Sequence, residues 1–268
     1  MASNSTTTKV TSLMEFAVQM TCKNCVDAIH NSLHGAEGIK SFTVDLNSEQ
    51  VILETTLSTG QVQNLLQSSG RTAILRGMGP AGSDLKHLGA AVVEMRSGIV
   101  KGVTRFVQVS EDLCVIDGTI DGLSPGLHGL NIHELGDLSL GCTSTGDHYN
   151  PQNCQHGAPE DNERHVGDLG NISADKNGRA SFRIEDKNIK VWDVIGRSLV
   201  VHQGEDDLGR GSDELSKITG NSGPGLSCGI IARSAGLFQN TKKYCACDGK
   251  ILWEDKPLST PTSMPSQL

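Results

Sequence analysis

The first 80 residues alternate between strand-like and helix-like patterns of apolar side chains. Phe16, Val18 and Met20 recur at every second position, which is typical of a strand with one buried face. Val26 and Ile29 then follow at helical spacing. The later strand-like and helix-like runs have their apolar members at Phe42, Val44, Leu46, Val51, Leu53, Val62, Leu65, Leu66 and Leu75. This order predicts an α+β domain of ferredoxin-like βαββαβ topology over residues 10–80.

Glycine and proline mark the ends of these elements and of the domain. Gly35 and Gly70 are expected to stop the two helices. A glycine- and proline-bearing stretch over residues 77–82 closes the domain, and residues 81–87 are predicted to be a linker.

Residues 88–235 have a different pattern of apolar and polar residues, with strand-sized apolar runs separated by long, glycine-rich polar loops. This spacing predicts an all-β body, either an antiparallel sandwich or a barrel. The chain then becomes irregular and ends in PLSTPTSMPSQL, a segment too polar and proline-rich to pack by itself. We therefore predict a flexible tail over residues 236–268.

The composition and charge of the 268-residue chain exclude some classes of function. With 23 basic and 31 acidic side chains, a formal net charge of −8 and no Lys/Arg run, no nucleic-acid partner is expected. The N-terminus has no basic segment followed by an apolar one, and no apolar run approaches membrane-spanning length. We expect a soluble, cytoplasmic protein, in which paired cysteines indicate metal or redox chemistry before structural bridges.

Cys22 and Cys25 form a C-x-x-C motif where the first predicted strand meets the first helix. Two thiols at this spacing can converge on one ion, and a helix N-terminus favours the thiolate form that binds metal. A pair of soft sulfurs suits linear Cu(I) better than a closed zinc site and leaves room for an incoming thiolate. The alternatives are a redox-active pair or two unrelated cysteines. With Met20, the motif reads M-x-C-x-x-C and resembles the heavy-metal-associated domains, which implies that this domain carries Cu(I).

A second set of motifs is spread along the all-β region. Its members are GLHGLNIHELGD at 126–137, GC at 141–142, HYNP at 148–151, HG at 156–157, RHVGDLGN at 164–171, IGRSLVVH at 195–202, DDLGRG at 206–211, and the stretch from 220 to 229. Together they resemble copper/zinc superoxide dismutase over essentially all of residues 88–235. The resemblance implies a Greek-key barrel or sandwich of the dismutase type.

The resemblance implies a zinc site and a copper site in this second domain. Its zinc ligands fall on His148, His156, His165 and Asp168, and such a closed shell would be structural. Its copper ligands fall on His133, His148, His202 and the position of Asn131, where one imidazole is missing. An amide oxygen is a poor substitute for imidazole on copper, so we expect only a residual copper site.

Several further positions receive a role from the same resemblance. Gly225 stands where the family has an anion-guiding arginine, so superoxide would lose its electrostatic guide. Asp206 matches the carboxylate that links the two metal sites, and His128 is expected to be a structural hydrogen-bonding residue. The family's disulfide falls on Cys142 and Cys228.

The remaining cysteines divide into buried and tail positions. Cys114 lies in an apolar run and is predicted to be a core thiol, whereas Cys154 receives no role. Cys245 and Cys247 form a C-x-C pair in the predicted tail, where two thiolates could take Cu(I) from one site, present it to another, or exchange with a disulfide. An accidental pair is the alternative.

The three parts in this order resemble the family of copper chaperones for superoxide dismutase. The resemblance implies delivery of Cu(I) to a copper/zinc superoxide dismutase and formation of its disulfide, with a membrane copper importer as donor. Docking as a heterodimer is expected through segments 135–137, 195–197 and 229–235, with a homodimer as an alternative resting state. Two other function classes stay open: an active dismutase with a fused copper-collecting domain, and a thiol-disulfide oxidoreductase acting through Cys22 and Cys25.

Overall fold

The computed structural model describes residues 9–82 and 88–239. In its first part, four strands and two helices follow the predicted βαββαβ order: β1 (Ser12–Val18), α1 (Lys23–Leu33), β2 (Ile39–Asp45), β3 (Gln50–Thr55), α2 (Thr59–Ser68) and β4 (Ala73–Pro80). The strands form one antiparallel sheet in the order β2-β3-β1-β4. The predicted topology of this domain is therefore confirmed.

Local sequence explains where the two helices begin and end. α2 starts with a capping box, in which the Ser58 hydroxyl accepts the Gln61 N–H and the Gln61 side chain accepts the Ser58 N–H. Cys25, Ile29 and Leu33 recur every four residues on the buried face of α1. Gly35 and Gly70 follow the two helices with φ near 75°, a conformation that glycine adopts without strain.

The all-β region forms an antiparallel barrel, as predicted. Its elements are β5 (Ala90–Ser97), β6 (Val100–Ser110), β7 (Leu113–Asp121), β8 (Gly126–His133), β9 (Ser139–Cys142), a 3₁₀ turn (Thr143–Thr145), β10 (Asp168–Ala174), β11 (Ala180–Asp186), α3 (Val191–Val194), β12 (Ser198–His202), α4 (Ser216–Thr219), β13 (Gly225–Ile230) and β14 (Ala232–Arg233). Nine of them pair in the order β13-β12-β8-β10-β11-β7-β6-β5-β14. β8 lies between β10 and β12, so the connections cross over as in a Greek key.

The barrel closes because β14 directly continues β13 and pairs with β5 at the other end of the sheet. Gly229 in β13 makes this closure possible, since a Cβ there would collide with the backbone of Glu94. Phe106, Ile116, Leu130, Ile132 and other apolar side chains fill the interior. The barrel thus has its own hydrophobic core, separate from that of the first domain.

The two domains share a buried interface. Val107 and Val115 of the barrel belong to the same apolar cluster as Met14 and Phe16 of the first domain. At its polar edge, the Thr59 N–H at the start of α2 donates to both carboxylate oxygens of Asp117 in β7, at 3.1 and 3.0 Å. The interface therefore joins an apolar cluster to a buried charged group.

Two segments differ from the predicted boundaries. Residues 77–80, predicted to close the first domain as a breaking stretch, extend β4 to Pro80, because they pair with the start of β1. Met20, predicted within a strand, lies beyond the end of β1 and is buried in the core. The division at 81–87 stays a prediction, because residues 83–87 lie outside the described parts.

None of the helices in the described parts of the chain has the length and apolarity that a bilayer crossing requires.

Candidate metal centres

The structure brings the two thiols of the C-x-x-C motif together at the start of α1. Cys22 is the exposed N-cap residue and Cys25 is buried in the first turn, and their Sγ atoms lie 3.6 Å apart. β1 ends at Val18, so the motif lies at the end of the strand opposite to Ser12, which contacts the barrel. The site is therefore open to solvent on the Cys22 side.

The surroundings of Cys25 favour a thiolate. The Thr21 N–H points at its Sγ from 3.5 Å and the Thr21 hydroxyl lies at 3.7 Å. These two contacts, assisted by Cys22 and opposed by burial, lower the pKa of Cys25 to about 6. Cys25 is therefore mainly ionised at neutral pH, which is the state that binds a soft metal ion.

The four predicted zinc ligands converge on one point at the base of β10. The Nδ1 atoms of His148, His156 and His165 lie 2.9, 3.0 and 3.2 Å from Oδ1 of Asp168, and all four residues are buried. Among the described residues, Nδ1 of His156 and of His165 has no hydrogen bond of good geometry. Three nitrogen lone pairs and one carboxylate oxygen thus face a common centre, a donor set that fits tetrahedral zinc.

Neighbouring groups hold these ligands in place. Burial opposes ionisation of Asp168, but the three imidazoles around it hold its pKa well below the usual range. Its Oδ2 accepts the N–H groups of Gly157 and His165 at 3.2 and 2.9 Å. Arg164, which sequence reasoning did not single out, binds the carbonyl groups of His165 and Asp168 and pairs with Asp186 at 2.5 Å. The ligand loop is therefore fixed by backbone contacts.

Asp206 orients one of the zinc-site imidazoles from outside. Its Oδ1 lies 2.7 Å from Nε2 of His156, while reciprocal 2.8 Å bonds join its backbone to the Asn171 side chain. Burial lowers the pKa of His156, but Asp168 and Asp206 outweigh it and raise the pKa to about 9. Binding of a metal ion at this site must therefore displace a proton.

His133, His148 and His202 form a second cluster that shares His148 with the first. Nδ1 of His133 donates to the Gly146 carbonyl at 2.7 Å, and Nδ1 of His202 donates to the Gly223 carbonyl at 2.9 Å. These bonds leave both Nε2 atoms unprotonated and 3.4 Å apart. Burial is the main cause that lowers the pKa of His133 to about 3 and of His202 to about 4, so both imidazoles are uncharged at neutral pH.

Asn131 occupies the place of the missing fourth imidazole. It is fully buried in β8, and its Nδ2 lies 3.4 Å from Nδ1 of His148 and 3.5 Å from Oδ1 of Asp168. Its Oδ1 finds no hydrogen-bond partner in the described parts of the chain. Among the described residues, this cluster therefore offers three imidazoles. Gly225 has no side chain and so brings no charge to this cluster. A Cβ at this position would lie only 2.7 Å from Cβ of Cys142, so a larger residue would require a shift.

The remaining predicted residues take structural positions or lie outside the residues that the structure describes. A disulfide joins Cys142 to Cys228, with 5.7 Å between the Cα atoms. His128 bonds the carbonyl groups of His202 and Ser124 at 2.9 and 2.8 Å, as expected of a structural residue. Cys114 is buried, and burial raises the pKa of its thiol.

Cys154 is half-buried in a loop, where its backbone exchanges hydrogen bonds with the Asn150 side chain. Cys245 and Cys247 lie outside the described residues.

Comparison with known proteins agrees with the two-domain arrangement of the chain. The family model of the heavy-metal-associated domain matches residues 15–72, and that of copper/zinc superoxide dismutase (SODC) matches residues 100–231. Among solved structures, the clock protein EA4 superposes with a TM-score of 0.53 at 37% identity, covering 57% of this chain and 99% of that one. The chain is therefore a heavy-metal-associated domain joined to a domain of the copper/zinc superoxide dismutase fold.

Relatives at the level of the whole chain define the family. The copper chaperone for superoxide dismutase of Rattus norvegicus is 60% identical, covering 91% of this chain and 88% of the relative. The Homo sapiens protein of the same name is 55% identical, with 96% and 93% covered. The chloroplastic/cytosolic protein of Arabidopsis thaliana is 41% identical, with 90% and 69% covered. The chain belongs to the family of copper chaperones for superoxide dismutase.

Proposed function

We propose that this protein is a metallochaperone that binds Cu(I) at Cys22 and Cys25 and delivers it to a copper/zinc superoxide dismutase. The thiolate pair is open on the Cys22 side, so an acceptor thiol can attack the bound ion and take it. His148, His156, His165 and Asp168 would hold a structural zinc ion, which would fix the long loop between β9 and β10. Copper is cargo here, whereas zinc is resident.

The observation that carries this proposal is that only three imidazoles, with Asn131 beside them, stand in the described cluster where a dismutase copper site would have four. A dismutase cycles copper between two oxidation states, and the oxidised ion prefers four donors in a tetragonal arrangement. In this barrel the fourth donor is a buried amide. The alternative function, an active dismutase with a fused copper-collecting domain, is not favoured for this reason.

The barrel supplies a docking surface for the target. Segments 135–137, 195–197 and 229–235 lie side by side: the Ser198 hydroxyl donates to the Leu135 carbonyl, and Ile231 exchanges backbone hydrogen bonds with Gly196 and Arg197. Leu135 and Ile230 expose 48% and 43% of their surface there, an apolar area that a partner can cover. We infer that one dismutase subunit binds this surface to form a heterodimer, with a homodimer as an alternative resting state.

The proposal assigns the C-terminal thiols a role in the last step. Cys245 and Cys247 would receive Cu(I), present it to the docked subunit and exchange with a target cysteine, which promotes formation of the target's disulfide. For this exchange, dioxygen would first oxidise the Cys245/Cys247 pair to a disulfide and be reduced to hydrogen peroxide. A target thiolate would then attack that disulfide, and the second target thiol would resolve the mixed disulfide, which returns the pair to thiols and moves two electrons from the target dithiol to dioxygen. A membrane copper importer would supply the Cu(I), and the cytoplasm is the proposed location.

Superoxide consumption tests the proposed function directly. The fully metallated chain alone should consume superoxide poorly, whereas the Cu(I)-loaded chain should activate a zinc-loaded, copper-free dismutase. The variant Cys22→Ser/Cys25→Ser should not activate it. Activity of the chain alone near that of an authentic dismutase would instead support the fused-enzyme alternative.

A further inference from the structure

Residues 234–239, here called the strap, leave the barrel and cross strand β4 of the first domain. The Ser234 N–H donates to the Ala90 carbonyl at 2.9 Å, and the chain then lies over Gly77 and Gly79. A Cβ on Gly77 would lie 2.7 Å from the Gly236 carbonyl oxygen, and one on Gly79 would lie 2.8 Å from Cβ of Leu237. The two glycines therefore form a groove that the strap backbone fills.

A buried carboxylate fastens the end of the strap. Glu15 in β1 is 3% exposed, and its Oε2 accepts the backbone N–H of Phe238 at 3.0 Å. Its Oε1 accepts the Gln50 side chain at 2.7 Å and lies 3.9 Å from the Arg76 guanidinium. A buried carboxylate needs such partners, and its bond to a backbone N–H is charge-assisted. The strap thus supplies one of the groups that make burial of Glu15 tolerable.

We propose that Glu15 is a positioning residue for copper transfer, because it fixes the origin of the C-terminal thiol segment on the copper-binding domain. The inference deepens the proposed function and rests on it. The strap overlaps the end of segment 229–235 of the docking surface at residues 234–235 and continues from it, so one stretch of backbone joins the docking surface, the first domain and the start of the C-terminal segment.

Chain lengths show why the position of this origin matters. Cys22 is seven residues from Glu15, and Cys245 is seven residues from Phe238. Seven residues span at most about 25 Å when fully extended. A C-terminal segment that starts at Phe238, held beside Glu15, is therefore long enough for its thiols to reach the C-x-x-C site. Tethering at this distance raises the effective concentration of these thiols there. Release of the strap would move the origin back to β14.

Hydrogen exchange and copper transfer on the full chain test this role together. In Glu15→Gln the amides of residues 234–239 should exchange about tenfold faster, because the bond to a charged acceptor is lost. Gly77→Ala, which pushes the strap away with a methyl group, should have the same effect with Glu15 intact. Both variants should transfer copper to copper-free dismutase about threefold more slowly or worse. Cu(I) binding by Cys22 and Cys25 in the full chain should not change.

Glu54→Gln is the matched control, since Glu54 lies on the same sheet face and contacts Lys40 and Thr11 instead of the strap. It should leave both readouts at wild-type values. Unchanged hydrogen exchange in Glu15→Gln and Gly77→Ala would show that these residues do not hold the strap on the first domain. Faster exchange with normal copper transfer would contradict the positioning role of Glu15. A wild-type chain that transfers no copper would overturn the proposed function as well, and its exchange data would still report on the strap separately.

Discussion

At the scale of single residues, Cys25 shows how a neighbouring side chain can prepare a metal ligand. Thr21 contributes both its N–H and its hydroxyl to the sulfur, so the local chain lowers the pKa of Cys25 before any metal arrives. Because folding lowers this pKa, the thiolate stabilises the metal-free domain fully above about pH 9. That contribution is lost as the pH falls through about 6.

The ultraviolet absorbance of the thiolate should report this ionisation directly. The difference titration between the metal-free chain and Cys25→Ser should have its midpoint near pH 6. Thr21→Ala removes the hydroxyl but keeps the N–H, so it should raise the midpoint only in part. A midpoint above pH 8 in the wild type would show that the contacts around Cys25 do not stabilise the thiolate.

In the proposed function, Asn131 is the residue that keeps this barrel from acting as a dismutase. In a background with serine at positions 22, 25, 245 and 247, Asn131→His should raise copper retention in the barrel at least about tenfold. Copper content after dialysis against a chelator measures the effect, and Asn131→Gln is the control that adds no imidazole. Equal retention in both variants would mean that the missing imidazole does not limit copper binding.

The sequence shows some of these residues and conceals others. The resemblance to dismutases placed His148, His156, His165 and Asp168 in one site, and the folded chain brings them together. Glu15, which contacts Phe238 across 223 positions of sequence, left no signal. Nothing in a single strand pattern indicates that a distant backbone will cover it.

At the scale of secondary structure, the hydrophobic period predicted the first domain well because each element buries one face. Gly35 and Gly70 end the helices as expected. The exception is β4, whose glycines at 77 and 79 indicated a break. They remain in the strand because the strap occupies the space where side chains would stand, and this contact is tertiary.

The N-terminus of α2 offers a test of how firmly the domains are joined. Asp117→Ala would leave the Thr59 N–H without its acceptor and Arg105 and Arg183 without a buried counter-charge, which should destabilise the chain by about 3–5 kcal/mol. The two domains should then unfold in separate calorimetric transitions. Asp121→Ala, on the same strand with an exposed Arg179 partner, should cost at most about 1 kcal/mol. A single transition at the wild-type temperature in Asp117→Ala would contradict this view of the interface.

At the scale of the whole molecule, the C-x-x-C motif follows the end of β1 that is opposite to one contact with the barrel. β1 runs from Ser12, which Arg183 of the barrel contacts, to Val18, and the C-x-x-C motif follows. Its length places the motif about 20 Å from that contact. In the proposed function, copper held at Cys22 and Cys25 lies at the end of β1 that points away from this contact, and we propose that a third element carries it to a docked target. The C-terminal thiols are the group in this chain suited to that task.

The most direct test of this account replaces both C-terminal thiols. The variant Cys245→Ser/Cys247→Ser should still fold, bind zinc at His148, His156, His165 and Asp168, and dock to the target. The Cu(I)-loaded variant is mixed with reduced, zinc-loaded, copper-free dismutase under oxygen, and dismutase activity and thiol content are followed together. Wild type should restore activity and consume target thiols through a mixed disulfide, while the variant should do neither. If the variant restores both as fast as wild type, the C-terminal segment is not the delivery arm and the first domain must transfer the copper itself.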